Sequence, residues 1–167
     1  MLRLRPYKPC DAEAVAGWLK DEYVYRLCCA DTVRDYPLTA EALNDFYREQ
    51  ENNDSFWTMT AFDQDGPAGQ LVMRFMDEEK KILRLCYIVV DDKKRGRGYG
   101  KELVGLAIKF GLEIVKAEKL ALGVFENNLP ARKCYESMGF KLVKVAEPKV
   151  QTFMGEEWKG LEMIWEP

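Results

Sequence analysis

The stretch Val89–Lys101, VVDDKKRGRGYGK, decides how the rest of the chain is read. It opens as the end of a β-branched apolar run, passes through an acidic and then a basic turn, and closes on Gly96, Gly98 and Gly100. Glycine has no Cβ, so it permits positive φ and close approach of a ligand to the main chain. A turn that feeds a helix directs unpaired amide N–H groups outward, where the helix dipole favours negative charge. The combination predicts a cradle for a phosphate-bearing ligand.

Working outward, the basic cluster Lys93, Lys94, Arg95, Arg97 and Lys101 sits in a chain whose net charge is −3. A general nucleic-acid surface is therefore not expected, and the overlap of the cluster with the glycines favours a local phosphate site. At 167 residues and 47% hydrophobic, the chain suits one domain, 1–167, with a substantial core. No window approaches the roughly 20 apolar residues that span a bilayer, and the N-terminus lacks a signal-like stretch, so a cytoplasmic location without membrane attachment is expected. Five cysteines, Cys28 and Cys29 adjacent, have no metal-ligand spacing and read as reduced thiols. The chain has no histidine, which removes histidine-based nucleophilic catalysis and most zinc sites; no metal is expected.

Taken in order, residues 2–6 alternate as a short strand, and Asp11 is placed to cap a helix running to about Lys20. Residues 21–38 read as a loop or short helix, either shaping a pocket or merely covering one. Thr39 starts a second helix that ends near Gln50. SFWTMTAF, AGQLVMRF and ILRLCYIVV (82–90) form an antiparallel meander. Gly98 to Lys116 has the periodicity of a helix, and residues 119–125 make a strand parallel to its predecessor by the crossover rule. Asn128 caps a further helix that ends at Gly139, and a C-terminal strand pair closes the chain. The fold class is α/β, an α+β mixed sheet: a meander, then a β-α-β-α unit.

The glycine turn fits neither common nucleotide motif. Lys101 follows Gly100, so G-x-G-x-x-G is not met, and a P-loop would need four residues between its glycines and a closing Lys-Ser/Thr pair. The turn does resemble motif A of the GCN5-related N-acetyltransferases, the GNAT family, as Arg95-Gly96-Arg97-Gly98-Tyr99-Gly100 after Val90-Asp91. Motif B of the same family is matched by Asn128, Ala131, Tyr135, Gly139 and Phe140, and the resemblance in element order covers nearly the whole chain.

The resemblance implies a role for each part. Amides from Gly96 to Lys101, through Gly98, Tyr99 and Gly100, would bind the pyrophosphate of acetyl-CoA, with Arg95, Arg97 or Lys101 adding charge. Ile88, Val89 and Val90 would pair with the pantetheine arm as an added strand, in a gap between splayed strands, and the amide near Val90 would polarise the thioester carbonyl. Asn128 would contact the cofactor, or simply cap its helix. Tyr135 would be the general acid that protonates the CoA thiolate, a task suited to a phenol with an ordinary pKa of about 10; read without the motif, it is a core aromatic. Cys134 is read as packing.

One departure concerns the base. Members of the family often carry Glu where this chain has Arg84, with Cys86 next on the same face. Glu22, Asp31, Glu78, Glu79 and Glu147 read as solvated carboxylates, so no base is assigned. The acceptor is expected to be a small-molecule amine or a protein N-terminus, or, because of Arg84, a compound bearing a carboxylate. Its pocket is expected from residues 11–51 and the last hairpin. A homodimer is an expectation carried by the resemblance alone. The alternative is an acyl-CoA-binding sensor or regulatory module without catalysis.

Overall fold

Alternation sorts the sheet residues into two faces. In β3 (Gly66–Phe75), Leu71 and Met73 belong to one core cluster and Val72 to another, as a strand period of two requires. A computed structural model of the protein describes residues 1–167. Before β3 come β1 (Arg3–Pro6), α1 (Ala12–Trp18), α2 (Glu22–Cys29), α3 (Ala40–Arg48) and β2 (Phe56–Asp63). After it come β4 (Ile82–Val90), α4 (Tyr99–Lys109), β5 (Lys119–Phe125), α5 (Leu129–Ser137), β6 (Lys141–Val143), β7 (Val150–Phe153) and β8 (Glu156–Trp165). The sheet runs β1-β2-β3-β4-β5-β8-β6, with β7 paired to β8. Every pairing is antiparallel except β4–β5.

Helices cover both faces. Leu103, Val104 and Ala107 of α4 and Tyr135 of α5 pack with Leu71, Leu83, Leu85, Leu120 and Leu122. On the other face Val15, Trp18, Tyr25, Leu43 and Tyr47, from α1 to α3, close over Val72 and Val89. Gly111, in the π-helical turn Phe110–Ile114 that extends α4, lets that turn settle on the sheet. A Cβ there would lie 3.0 Å from Leu83 and 3.1 Å from Leu120.

The segment after Asp21, open in the sequence between a loop and a short helix, is a short helix, because the Asp21 carboxylate accepts from the Val24 amide at 3.0 Å. Two elements differ from the sequence expectation. The C-terminal pair is three strands, because Met154 and Gly155 both have positive φ and fold residues 150–165 into a two-residue hairpin. Asp11 does not cap α1. Its carboxylate accepts from Arg5 at 2.7 Å on each oxygen, from the Lys8 amide at 3.0 Å and from Thr60 at 2.8 Å.

Burial alone would raise the Asp11 carboxyl, but the bonds from Arg5, Lys8 and Thr60 outweigh it and hold the group below its ordinary 3.8. A depressed carboxylate contributes stability that is complete above its unfolded pKa and is lost as pH falls through the folded one. Asp11→Asn should therefore cost on the order of 2–3 kcal/mol at neutral pH. It should also flatten the loss of stability below pH ~4. Urea unfolding from pH 7 to 3 checks both.

Candidate active site

The parallel ladder between β4 and β5 is short: Ile82–Leu85 pair with Lys119–Leu122, and pairing then stops. The cause lies in β4. Tyr87 has φ +49, and the register against β3 slips there, Val72 facing Cys86 but Gln70 facing Val89, so β4 carries one extra residue. Such a bulge bends its strand. β5 meanwhile continues against β8 to Phe125. The two strands part as the resemblance implied, and a cavity of about 580 Å³ opens between them.

Leu85 to Val90 form one wall of this cavity and Gly123 and Val124 the other. Arg95, Gly96, Gly98, Gly100 and Lys101 close one end, Asn128, Ala131, Cys134 and Tyr135 of the α5 region line the side, and Val24, Leu27 and Cys28 of α2 form a lid. Only α2 of the 11–51 segment reaches the cavity; α1 and α3 lie behind it.

The glycine turn is built for its place. Asp91 accepts from the Lys93 amide at 3.0 Å, Gly96 has φ +72, and Gly98 has φ +88 at the N-cap of α4. Gly98 supplies no side-chain cap, and the first helical bond from Glu102 returns to its carbonyl. The amides of Tyr99, Gly100 and Lys101 thus precede the first turn's bonds and stand as free donors at the positive end of the helix.

Two side chains fasten this turn. Arg95 donates from Nε to the Val90 carbonyl at 3.1 Å and from its terminal nitrogen to the Trp18 carbonyl at 2.9 Å, tying β4 to α1. Its first task is therefore positional, whereas the sequence suggested phosphate charge. Lys94 and Tyr99 both donate to Asp63 Oδ2, at 2.7 and 2.9 Å, and anchor the turn to the β2–β3 hairpin. The Lys94 ammonium, with help from the Asp65 amide, holds the Asp63 carboxyl down to about 2. Tyr99 therefore points away from the cavity and can offer it only a main-chain amide, and Arg97 is not among the lining residues. Exposed Lys93, Arg97 and Lys101 keep the local charge positive.

Asn128 caps α5, accepting from the Ala131 amide at 3.4 Å, and also lines the cavity. Tyr135 is 8% exposed and packs edge-on against Phe140 with ring centroids 6.2 Å apart. Burial pushes its phenol well above the ordinary value of 10. It stands in the core and lines the cavity at once, so the two sequence readings of this residue are compatible. Burial likewise raises the Cys134 and Cys86 thiols.

The partner of Arg84 is one that no sequence pattern announced. The Arg84 guanidinium donates to both oxygens of Glu162, at 2.8 and 2.9 Å. An acceptor carboxylate would have to compete with that pair. Glu78, Glu79 and Glu147 are exposed, as expected of solvated groups. No group of three or more Cys, Asp or Glu side chains is arranged to hold a metal.

Comparison with known proteins agrees with this geometry. The profile of the acetyltransferase (GNAT) family matches residues 13–140. An N-acetyltransferase 9-like protein of Caenorhabditis briggsae is 23% identical over 150 residues, 84% of this chain and 74% of the relative. A spermine/spermidine N(1)-acetyltransferase of Bacillus subtilis is 33% identical over 67 residues, 39% of this chain and 44% of the relative. Among solved structures, the spermidine N-acetyltransferase of Vibrio cholerae, in complex with CoA and spermine, superposes with a TM-score of 0.82 at 16% identity. That alignment covers 99% of this chain and 95% of the other, and the likeness speaks to the fold. A match over residues 13–140, on a forked sheet with the glycine turn at its mouth, leads to one conclusion: the chain belongs to the acetyltransferase (GNAT) family, enzymes that carry an acyl group to an amine.

Proposed function

We propose that this protein transfers the acetyl group of acetyl-CoA to a primary amine by direct attack of the amine on the thioester. The observation that carries the reading is the uncapped N-terminus of α4, reached through Gly96, Gly98 and Gly100, at the mouth of a cavity that Tyr135 also lines. The cavity residues fit the cofactor: free amides and cations for a pyrophosphate, and the unpaired edge of β4 at Ile88, Val89 and Val90 for an amide-bearing arm. When bound, acetyl-CoA supplies an activated acyl group.

The chain's own residues do the rest. The amides from Gly96 to Lys101 hold the diphosphate, with Lys101 and Arg97 adding charge, and Asn128 borders the arm. The amide near Val90 donates to the oxygen on which negative charge develops. The carbon–nitrogen bond forms as the carbon–sulfur bond breaks. The acceptor ammonium loses one proton to solvent before it attacks, Tyr135 gives its proton to the departing sulfur, and the second proton lost by the nitrogen returns through solvent to the Tyr135 oxygen. A phenol pushed upward by burial stays protonated through the neutral range, as a general acid must.

The acceptor class in this reading is a small-molecule amine or a protein N-terminus, and the names of the B. subtilis and V. cholerae relatives favour the former. Residues 1–167 act as one domain in the same reading, which a sheet running continuously from β1 to β6 supports. A cytoplasmic location is in keeping with five free cysteines. No helix is long and apolar enough to cross a membrane. Relatives named as N-acetyltransferases do not favour the binding-only alternative.

The test is thermal unfolding with acetyl-CoA, and with ATP and NAD as controls. At a hundred times its dissociation constant a ligand stabilises by about 2.7 kcal/mol, which raises Tm by roughly 5–10 °C at this size. A shift with acetyl-CoA alone, followed by thiol release with an amine panel, is the expected outcome. No shift at saturation, or an equal one with ATP or NAD, overturns the reading.

A further inference from the structure

The cavity narrows to a vertex where β4 and β5 meet. The last paired residues are Leu85 and Leu122, and the next residue of β5, Gly123, already lines the open space. Gly123 faces Glu162 across the β5–β8 ladder. The Arg84 side chain reaches from β4 over Gly123 to that glutamate. A Cβ on Gly123 would lie 2.6 Å from the Arg84 guanidinium and 3.4 Å from Glu162 Oε1. Glycine is thus what opens a path for an ion pair across an intervening strand.

We infer that Glu162 is the acceptor-binding carboxylate of this enzyme, holding a cationic primary amine at the vertex, with Arg84 fixing the direction of the carboxylate. This inference rests on the acetyl-transfer reading above. Its support is positional and chemical. Leu85, Cys86 and Gly123 line the cavity, whereas Arg84 and Glu162 do not; the pair stands directly behind these residues, at the vertex where the arm of the cofactor would end. Arg84 is sunk, with its side chain 18% exposed, whereas that of Glu162 is 41% exposed. A carboxylate has about four lone-pair sites, and the two bonds from Arg84 leave the others free to accept.

The arrangement also accounts for Arg84 standing where relatives of the motif often carry Glu. The carboxylate is supplied from β8 instead of β4, and Arg84 is the arm that presents it. Held on two sides by the guanidinium, the Glu162 carboxylate is fixed in direction and serves as an anchor for an ammonium. It orients the nitrogen, and the proton leaves to water. Selection is directional more than electrostatic, because the pair as a whole is neutral.

Glu162→Gln keeps the size of the side chain and an oxygen for Arg84 while removing the charge. With spermidine and with a short peptide bearing a free N-terminus as probes, thiol release should show the amine KM raised about tenfold or more in this variant. The kcat at saturating amine should stay within about threefold, and the acetyl-CoA KM and thermal shift should not move. Glu162→Asp should fall between. Should the single variant fold poorly, Arg84→Gln with Glu162→Gln removes both charges and should show the same rise in amine KM. An unchanged amine KM overturns the inference while leaving acetyl transfer intact. Parallel rises in both KM values, or a lost acetyl-CoA shift, reduce the pair to a structural clamp and overturn it as well. A wild type that acetylates neither probe nor any other amine of the panel removes the acetyl-transfer reading, and this inference with it.

Discussion

Tyr135→Phe is expected to lower kcat by about a hundredfold or more, the usual contribution of a positioned general acid. The substitution removes one oxygen and leaves the ring, which is 8% exposed, packed edge-on against Phe140 and part of the core beneath α4 and α5. Stability should therefore change little. The acetyl-CoA thermal shift should also be kept, because the amides that hold the diphosphate lie elsewhere, on the turn from Gly96 to Lys101. The pH dependence has a definite sign. Burial raises the phenol, so wild-type activity should not decline between pH 7 and 9 through loss of this proton. Steady-state thiol release and thermal unfolding on the same preparations test the prediction. A variant with near wild-type kcat would take the general-acid role away from Tyr135.

Gly98→Val is expected to abolish most of the affinity for acetyl-CoA. Gly98 has φ +88, and a Cβ placed there would meet nothing within 4 Å beyond its chain neighbours, so space is not the obstacle. The obstacle is the backbone, since a β-branched residue at positive φ costs on the order of 1–3 kcal/mol. The chain can relieve that strain by turning the peptide, which reorients the free amides at the start of α4. Each 1.4 kcal/mol lost is about tenfold in binding, so a rise in Kd of roughly ten- to a hundredfold is expected. Gly155→Val is the control. It carries the same kind of strain, at φ +78, at the tip of the β7–β8 hairpin, none of whose residues lines the cavity, and should lower Tm without altering acetyl-CoA affinity. Titration calorimetry on both variants distinguishes a loss of the cradle from a general loss of stability.

The parts of the site that could be read from sequence are those encoded locally. Gly96, Gly98 and Gly100 announce a turn because positive φ selects glycine, and Gly96 and Gly98 do adopt it. Asn128 and Thr39 announce helix starts because a cap is a contact three residues long. The meander and the parallel β5 followed from strand period and the crossover rule, and both are present. What stayed hidden depends on distance or on an exception. Arg84 and Glu162 are 78 positions apart, and no local pattern joins them. Asp11 had the spacing of a cap, but Thr60, 49 residues on, and Arg5 took its oxygens first. Tyr87 carries positive φ without being glycine, so the bulge that opens the cavity leaves no mark in the sequence. Arg95 looked like a phosphate ligand because two carbonyls that claim it, on Val90 and Trp18, have no side-chain signature.

The brevity of the β4–β5 ladder has a mechanical meaning. Four register pairs, Ile82–Leu85 with Lys119–Leu122, form the seam between two plates, one made of β1 to β4 and the other of β5 to β8. Helices α1 to α3 ride on the first plate, while Phe125, Phe153 and Trp158 of the second meet Leu27 and Ala30 of α2 across the opening. Whatever fills the wedge fixes the angle between the plates, and with it the spacing between α2 and the β7–β8 hairpin. On the proposed function, cofactor and acceptor would share that one angle, and titration of each in the presence of the other is expected to show the two affinities changed by the same factor, as reciprocity requires.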